Sequence, residues 1–163
     1  MLAIDMGTGK TKITIDIINN REDIKKVLVL CPKSVISVWG KEINKHSVIN
    51  VNTLCLCENN QIKIKTEQAK TFLNSSIDGK QVVVINYEAA WREPFSSFAL
   101  SQKWDLVILD ESHKIKAPGG AASRFCAKLG TVAKNRICLT GTPMPHSPLD
   151  IYAQYRFLDP GIF

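Results

Sequence analysis

A short glycine-rich segment near the start of the sequence has the composition of a phosphate-binding loop. In such a loop, backbone N–H groups converge on phosphate oxygens, a lysine reaches the outer phosphates and a threonine hydroxyl binds Mg²⁺. The candidate nucleotide-binding residues are Met6, Gly7, Thr8, Gly9, Lys10 and Thr11, with Thr11 also a candidate metal ligand. Because Ile4 occupies the position of the first glycine of the full pattern, the segment alone is also compatible with an ordinary turn and a solvated lysine.

Two adjacent acids follow an apolar run much later in the chain. The run Trp104–Leu109 reads as a strand, and Asp110 and Glu111 come directly after it, where ligands bind in open α/β sheets. Asp110 would hold Mg²⁺, and Glu111 would orient or deprotonate water for in-line attack on a γ-phosphate. A solvated acidic turn is the alternative. With Lys10 as the third catalytic candidate, the two segments indicate a nucleoside triphosphatase site.

A histidine and a threonine-rich turn are predicted to lie beside the acids. His113 follows them, and Thr140, Gly141 and Thr142 end another strand-like run, so their hydroxyls should emerge at the same sheet edge. A hydrogen bond from these hydroxyls to His113 would make this histidine a coupling residue rather than a base. The alternatives are a surface histidine and a turn capped by its own threonines.

Apolar runs alternate with helix-like stretches along the chain. The predicted strands are Val27–Cys31, Val51–Leu56, Val82–Ile85, Leu106–Leu109 and Ile137–Leu139. Their continuous β-branched composition suits a sheet buried on both faces, and the alternation predicts a three-layer α/β domain with a mainly parallel sheet.

Helices are predicted at Lys10–Asn19, after Ser34, at Ala121–Val132 and at Leu149–Phe157. Ser34 is expected to cap a helix that buries Val35, Val38, Trp39 and Ile43. The alternation of Ile13, Ile15 and Ile17 would also suit a strand, but an anion site needs a helix N-terminus after the glycines. Asn59–Lys65 and Asn74–Lys80 are predicted to be surface connections.

Composition bounds the remaining possibilities. A chain of 163 residues, 45% hydrophobic and 22% charged, is typical of one globular domain. The net charge of +6 favours polyanionic partners, although scattered surface lysines would give the same sum. The five cysteines are odd in number and lack the regular spacing of a disulfide framework, which indicates reduced thiols. No apolar run reaches the length of a membrane span, so we expect a soluble, cytoplasmic protein without membrane contact.

Over nearly its whole length the sequence resembles the first RecA-like lobe of the Swi/Snf family of superfamily-two helicase-like ATPases. The resembling segments are Leu2–Thr11 (motif I), Cys31–Ser34 with Trp39 and Glu42 (motif Ia), Asn86–Glu88, Asp110–His113 (motif II), Leu139–Pro143 (motif III) and Phe157–Phe163. The segment Met144–Ser147 looks more like bacterial or phage relatives than eukaryotic chromatin remodellers, which predicts a bacterial cell or a phage-infected host as the location.

The resemblance implies a RecA-like P-loop NTPase domain over residues 1–163, which uses ATP and Mg²⁺ to move along double-stranded DNA. The nucleic-acid contacts that it implies are Pro32, Lys33, Ser34, Asn86 and Tyr87, although a solvated lysine and a capping serine explain Lys33 and Ser34 equally well. Residue types alone distinguish neither ATP from GTP nor DNA from RNA.

The family also has an adenine-reading glutamine upstream of motif I, and a second RecA-like lobe with arginines that stabilise the transferring phosphoryl group. We therefore expect a lobe that is incomplete at its N-terminus, works with a second lobe in cis or from a partner chain, and hydrolyses ATP slowly or not at all by itself. A nucleotide-dependent module that binds DNA or protein without translocating is the main alternative. A restriction-enzyme motor is a further one.

Overall fold

Six parallel strands form one sheet in the computed structural model, which describes residues 1–162. The strands are β1 (Leu2–Ala3), β2 (Lys26–Cys31), β3 (Val51–Cys55), β4 (Lys80–Asn86), β5 (Trp104–Asp110) and β6 (Ala133–Thr140). Their order across the sheet is β1-β6-β5-β2-β4-β3, and every neighbouring pair is parallel. All five predicted strands are therefore present.

Helices cover both faces of the sheet. They are α1 (Lys10–Asn20), α2 (Ile36–His46), α3 (Ile62–Asn74), α4 (Tyr87–Ala90), α5 (Phe95–Ser101), α6 (Ala121–Val132) and α7 (Tyr152–Leu158). One apolar cluster joins α1 and α2 to the sheet, and a second joins α3 to α7 to its other face. Successive residues of β2 alternate between the two, with Val27 and Val29 in the first and Leu28 and Leu30 in the second. The predicted three-layer α/β architecture is confirmed.

The segment after the glycine-rich loop is a helix, as predicted. Its helical period turns Ile15 and Ile18 into the core, whereas Ile13 is 39% exposed. The C-terminal end of α1 is held by the buried Lys80, whose Nζ donates to the carbonyls of Ile18 and Arg21. A cation at this end of a helix complements the partial negative charge of its carbonyls.

The start of α2 differs from the prediction. A 3-10 turn at Lys33–Val35 precedes the helix, the N-cap residue of α2 is Val35, and the Ser34 side chain makes no capping hydrogen bond there. Trp39 and Ile43 are buried as predicted, but Val38 is 46% exposed. The capping prediction was wrong because the chain tightens into the 3-10 turn before the α-helix begins.

The predicted surface connection Asn59–Lys65 is also wrong in its second half, because α3 begins at Ile62. Lys65 is buried, and its Nζ donates to the carbonyl of Leu56, the residue that follows β3, at 3.1 Å. This hydrogen bond gives the Leu56 carbonyl a side-chain donor. A lysine stem can cover apolar surface while its ammonium finds a carbonyl. Burial and the nearby Lys33 charge lower the pKa of Lys65.

The end of the chain follows the predicted pattern, with a 3-10 turn at Pro148–Ile151 that leads into α7. The Asp150 carboxylate accepts the N–H groups of His146 at 2.7 Å and Ser147 at 3.0 Å, so the turn has a polar start. The predicted closing segment extends to Phe163, which lies outside the described residues. Within residues 1–162, no helix is long and apolar enough to cross a membrane.

Gly130 lets α6 and α7 approach closely. A Cβ at this position would lie 2.5 Å from the Phe157 carbonyl oxygen, so Gly130→Ala must push α7 away. Overpacking costs about 1–3 kcal/mol and the helix-propensity gain is roughly 1 kcal/mol, so the free energy of unfolding should fall by up to about 2 kcal/mol in a urea titration. Gly119→Ala is the control, because a Cβ there meets nothing within 4 Å. Equal stability of the two variants would contradict the predicted clash.

Candidate active site

The glycine-rich loop connects β1 to the N-terminus of α1 at the carboxyl edge of the sheet. Gly7 and Gly9 have left-handed backbones, with φ of 78° and 85°, and no atom lies within 4 Å of a Cβ built on either one. Their glycine requirement is therefore conformational rather than steric. The first turn of a helix leaves backbone N–H groups without partners in the helix, and the loop places this end of α1 at the cleft, as anion-binding loops do.

The loop is closed by its own side chains. Lys10 donates from Nζ to the carbonyls of Ile4 at 2.7 Å and Asp5 at 2.9 Å. The Thr8 hydroxyl donates to the same Asp5 carbonyl at 2.6 Å. An ammonium that bridges two carbonyls across the loop can transfer these bonds to anionic oxygens without any change in the backbone path.

A cleft of about 370 Å³ brings the loop and the two acids together. Its lining residues are Met6, Gly7, Gly9, Lys10, Thr11, Lys12, Val35, Val38, Trp39, Glu42, Asp110 and Glu111. Of the predicted loop residues, only Thr8 is outside this lining. Val38 of α2, which is exposed, and the half-buried Val35 that precedes this helix give the cleft an apolar wall.

Asp110 is held by hydrogen bonds from two directions. Trp39 of α2 donates from Nε1 to Oδ2 at 2.8 Å, and the Glu111 N–H donates to Oδ1 at 3.0 Å. Burial raises the pKa of Asp110, and the Glu111 charge adds to this rise, whereas the Trp39 bond, the Glu111 N–H and Lys10 oppose it. The carboxylate is thus fixed in orientation although its charge is partly removed from water.

Glu111 is the only non-glycine residue with a positive φ among residues 1–162, at φ 50° and ψ 51°. A left-handed backbone at such a residue costs about 1–3 kcal/mol and occurs often at functional sites. The turn separates the two acids, so that Glu111 is half-buried at the cleft while Ser112 enters the core. The Glu111 Oε2 atom lies 3.3 Å from His113 Nδ1.

The predicted contact between His113 and the threonine-rich turn is present. His113 Nδ1 lies 3.1 Å from Thr140 Oγ1 and 3.4 Å from Thr142 Oγ1, and Thr140 Oγ1 accepts the Thr142 N–H at 3.1 Å. Gly141 lies against the loop, since a Cβ there would be 3.3 Å from Met6 Cγ. The geometry for coupling is confirmed, and the coupling role itself stays a prediction.

The predicted nucleic-acid residues divide into two groups. Lys33 and Ser34 are exposed beyond β2, and Lys33 donates from Nζ to Asn59 Oδ1 at 2.6 Å. Lys33 and Asn86 line a polar cavity with Lys65 and Arg92, and Pro32 is half-buried beside it.

Tyr87 does not belong to that surface. It is only 3% exposed, and its hydroxyl donates to the Asp110 carbonyl at 2.7 Å. This burial, which also raises its pKa well above the usual value, does not fit a direct contact with a nucleic-acid backbone. Tyr87 instead supports the strand that carries the acids.

The sequence placed Trp39 on a buried helix face and in the segment that resembles motif Ia, but its contact with Asp110 was not predicted. A buried indole N–H needs an acceptor, and this requirement is the signal that could have found it. The acceptor itself lies 71 residues away in sequence and is adjacent only because β2 and β5 pair in the sheet.

Replacement of Trp39 by Phe should raise the pKa of Asp110 further, because the ionised carboxylate loses a donor while the ring still keeps water out. The carboxyl group will then ionise only at a higher pH. The measurement is a titration of the Asp110 carboxyl carbon by NMR, assigned with Asp110→Asn. Trp91→Phe is the control, because Trp91 contacts the Arg92 guanidinium on the surface. Identical Asp110 titrations in both variants would contradict the predicted role of the indole.

Comparison with known proteins shows the family. The chain matches the SNF2-related domain over residues 1–163. It is 31% identical over 170 residues to Protein CHROMATIN REMODELING 25 of Arabidopsis thaliana, with 99% of this chain and 18% of that protein covered. It is 32% identical over 167 residues to the ISWI chromatin-remodeling complex ATPase ISW1 of Saccharomyces cerevisiae, with 100% of this chain and 14% of that protein covered. The chain thus spans less than a fifth of the length of these relatives.

A solved structure of an SWI2/SNF2 protein also matches the chain. The Sulfolobus solfataricus SWI2/SNF2 ATPase core in complex with dsDNA superposes with a TM-score of 0.76 at 27% identity, and the match covers 99% of this chain and 31% of that chain. Because relatives of similar identity come from a plant, a yeast and the bacterium Bacillus subtilis, the predicted bacterial or phage type is not confirmed. The chain belongs to the SNF2-related domain family, and its fold is the RecA-like α/β fold that the sequence predicted.

Proposed function

We propose that the chain is the ATP-binding lobe of a Swi/Snf-type DNA-dependent ATPase, which couples ATP hydrolysis to movement on double-stranded DNA. The observation that carries this proposal is the single cleft that contains the Gly7–Thr11 loop, Asp110 and Glu111. The similarity to a chromatin-remodelling ATPase and to an ATPase core in complex with dsDNA supports it. Residues 1–163 would act as one domain with a second RecA-like lobe, in cis or from a partner chain.

The loop and α1 bind the phosphates in this proposal. The N-terminus of α1 offers free N–H groups and the positive end of the helix dipole. Lys10 exchanges the carbonyls of Ile4 and Asp5 for phosphate oxygens, and the apolar wall formed by Val35 and Val38 excludes water on the α2 side.

The residues at the cleft also fit Mg²⁺. Thr11 and Asp110 present hydroxyl and carboxylate oxygens in the same cleft, which are the hard donors that this ion prefers. Among residues 1–162, no group of three or more His, Cys, Asp or Glu side chains is arranged to hold a metal ion. When bound, the ion neutralises phosphate charge.

Glu111 is the candidate general base. Its left-handed backbone turns the side chain toward the cleft, while Asp110 is fixed by Trp39. His113 lies 3.3 Å from the Glu111 carboxylate and holds it close to the threonine-rich turn. A half-buried carboxylate beside the phosphates can orient water and accept its proton during in-line attack.

No arginine lines the cleft within residues 1–162. Arg136 donates to the carbonyls of Leu158, Gly130 and Ala133, and Arg124 donates to the Gly119 carbonyl, so both are occupied elsewhere. An arginine finger is worth roughly 10³–10⁵ in kcat. The chain by itself should therefore bind ATP but turn it over slowly, and the same observation favours the binding-module alternative.

Glu111→Gln separates the two functions. If the lobe is an ATPase, hydrolysis should fall about 10²-fold or more, because the water loses its base, while ATP affinity is kept. Lys10→Ala should weaken ATP binding itself, because the outer phosphates lose their cation. Phosphate release and equilibrium binding of a fluorescent ATP analogue measure the two effects.

Glu67→Gln is the matched control, since Glu67 is exposed on α3 and pairs only with Lys70. Fast DNA-stimulated turnover by the purified 163-residue chain would refute the proposed dependence on a second lobe. DNA binding that responds to ATP and is unchanged in Glu111→Gln would favour the binding module.

Lys33→Ala tests the proposed DNA surface. Loss of one phosphate contact should weaken binding to duplexes of any sequence and reduce the slope of log K against log salt by about 0.9. Fluorescence anisotropy with a labelled duplex at several salt concentrations measures both. Lys70→Ala on α3 is the control for loss of one positive charge. Equal slopes for the two variants would contradict the proposed contact between Lys33 and DNA.

A further inference from the structure

A fully buried glutamine on α7 joins two segments of the active site. Gln154 has no exposed surface, and neither has Ser112, which follows the acidic pair. The Ser112 hydroxyl donates to Gln154 Oε1 at 2.6 Å. Gln154 Nε2 donates to the Pro143 carbonyl at 2.8 Å and to the Asp150 carbonyl at 3.3 Å. One amide therefore binds the segment after β5, the turn after β6 and its own preceding turn.

Two adjacent residues, Ser112 and His113, thus hold the Thr140–Pro143 turn, one through Gln154 and the other directly. His113 contacts the Thr140 and Thr142 hydroxyls directly at the half-exposed surface. Ser112 reaches the Pro143 carbonyl through Gln154 in the core. The direct contact links the acids to the turn alone, whereas the buried contact also includes α7.

The Ser112–Gln154 hydrogen bond is closed off from water. A buried amide or hydroxyl that loses its partner cannot replace it with water, so Ser112 and Gln154 must move together or pay the desolvation of both groups. Ser112 is also the neighbour of the strained Glu111, and a change in that backbone moves Ser112 first. Displacement at the acids is therefore transmitted to α7.

We propose that Gln154 is a positioning residue that couples the Asp110–His113 segment to the Thr140–Pro143 turn and to α7. It is outside the lining of the cleft and does not touch the reacting groups. When nucleotide orders Glu111, Gln154 carries the change to α7, which lies at the far side of the turn. This inference rests on the proposed nucleotide binding at the cleft.

Hydrogen exchange of the whole chain, with and without ADP and Mg²⁺, tests the coupling. In the unmodified protein, nucleotide should slow exchange at residues 7–11, at 140–142 and at 152–158. In Gln154→Leu, protection of residues 7–11 and the nucleotide Kd should be retained, whereas the response of residues 152–158 should be lost. A double variant, Ser112→Ala with Gln154→Leu, removes both polar partners and guards against a folding defect in the single variant.

Phe157→Leu is the control, because it perturbs the core of the same helix without any polar change. It should raise overall exchange but keep the nucleotide response of α7. A wild-type response in both Gln154 variants, its loss in Phe157→Leu, or no response of α7 in the unmodified protein would each overturn the inference. Absence of nucleotide protection at residues 7–11 would instead contradict the proposed function, and the inference would fall with it.

Discussion

The carboxylate of Asp110 is a charge at the end of an apolar strand, and much of the surrounding structure compensates for its burial. Burial alone would favour the neutral acid, which is a poor ligand for a cation. Trp39 and the Glu111 N–H counter this by donating to the two oxygens, and Lys10 adds a positive charge nearby. Tyr87 fixes the backbone carbonyl of the same residue. These partners come from four places in the sequence, so the carboxylate depends on the tertiary structure as a whole.

The order of the parallel strands brings those partners together. Because all six strands run in one direction, the segments after β1, β2, β4, β5 and β6 leave the sheet at the same edge. β5 lies between β2 and β6, so the helix after β2 and the turn after β6 lie on its two sides. β1 pairs with β6 through only two residues, Leu2 and Ala3, yet this is sufficient to bring the glycine-rich loop to that edge. The site is thus a consequence of topology, and short local motifs supply its chemistry.

This division explains what could be predicted from the sequence. The strands were predictable because both faces of the sheet are buried, and continuous β-branched runs follow from that burial. Helix α1 was predictable only through the chemistry of the loop, since the alternation of Ile13, Ile15 and Ile17 suited a strand equally well. Helix α3 was missed because its first turn alternates isoleucine and lysine after a polar stretch, and one of its buried residues is a lysine, Lys65.

The site shows the same limit. The acids and the loop carry local signatures and were found, whereas Trp39 and Gln154 act through partners 71 and 42 residues away. No period or propensity specifies such a pairing. Val38 and Tyr87 show the converse error, because an apolar side chain lines the cleft and a polar one is in the core. A residue type restricts the chemistry of a side chain, but only the fold decides which surface receives it.

The two neighbouring acids have different surroundings, which supports the separate roles that we propose for them. Asp110 accepts two hydrogen bonds and is restrained on both oxygens, which suits a fixed ligand. The Glu111 carboxylate contacts His113 and lies on a strained backbone, which suits a group that must reorient and accept a proton. Pairs of ionisable groups in contrasting environments are the usual basis for different tasks at one pH. Ser112, the next residue after the strained Glu111, is fixed in the core by Gln154, so the buried bond that we propose to transmit movement would also keep the proposed base in its turned position.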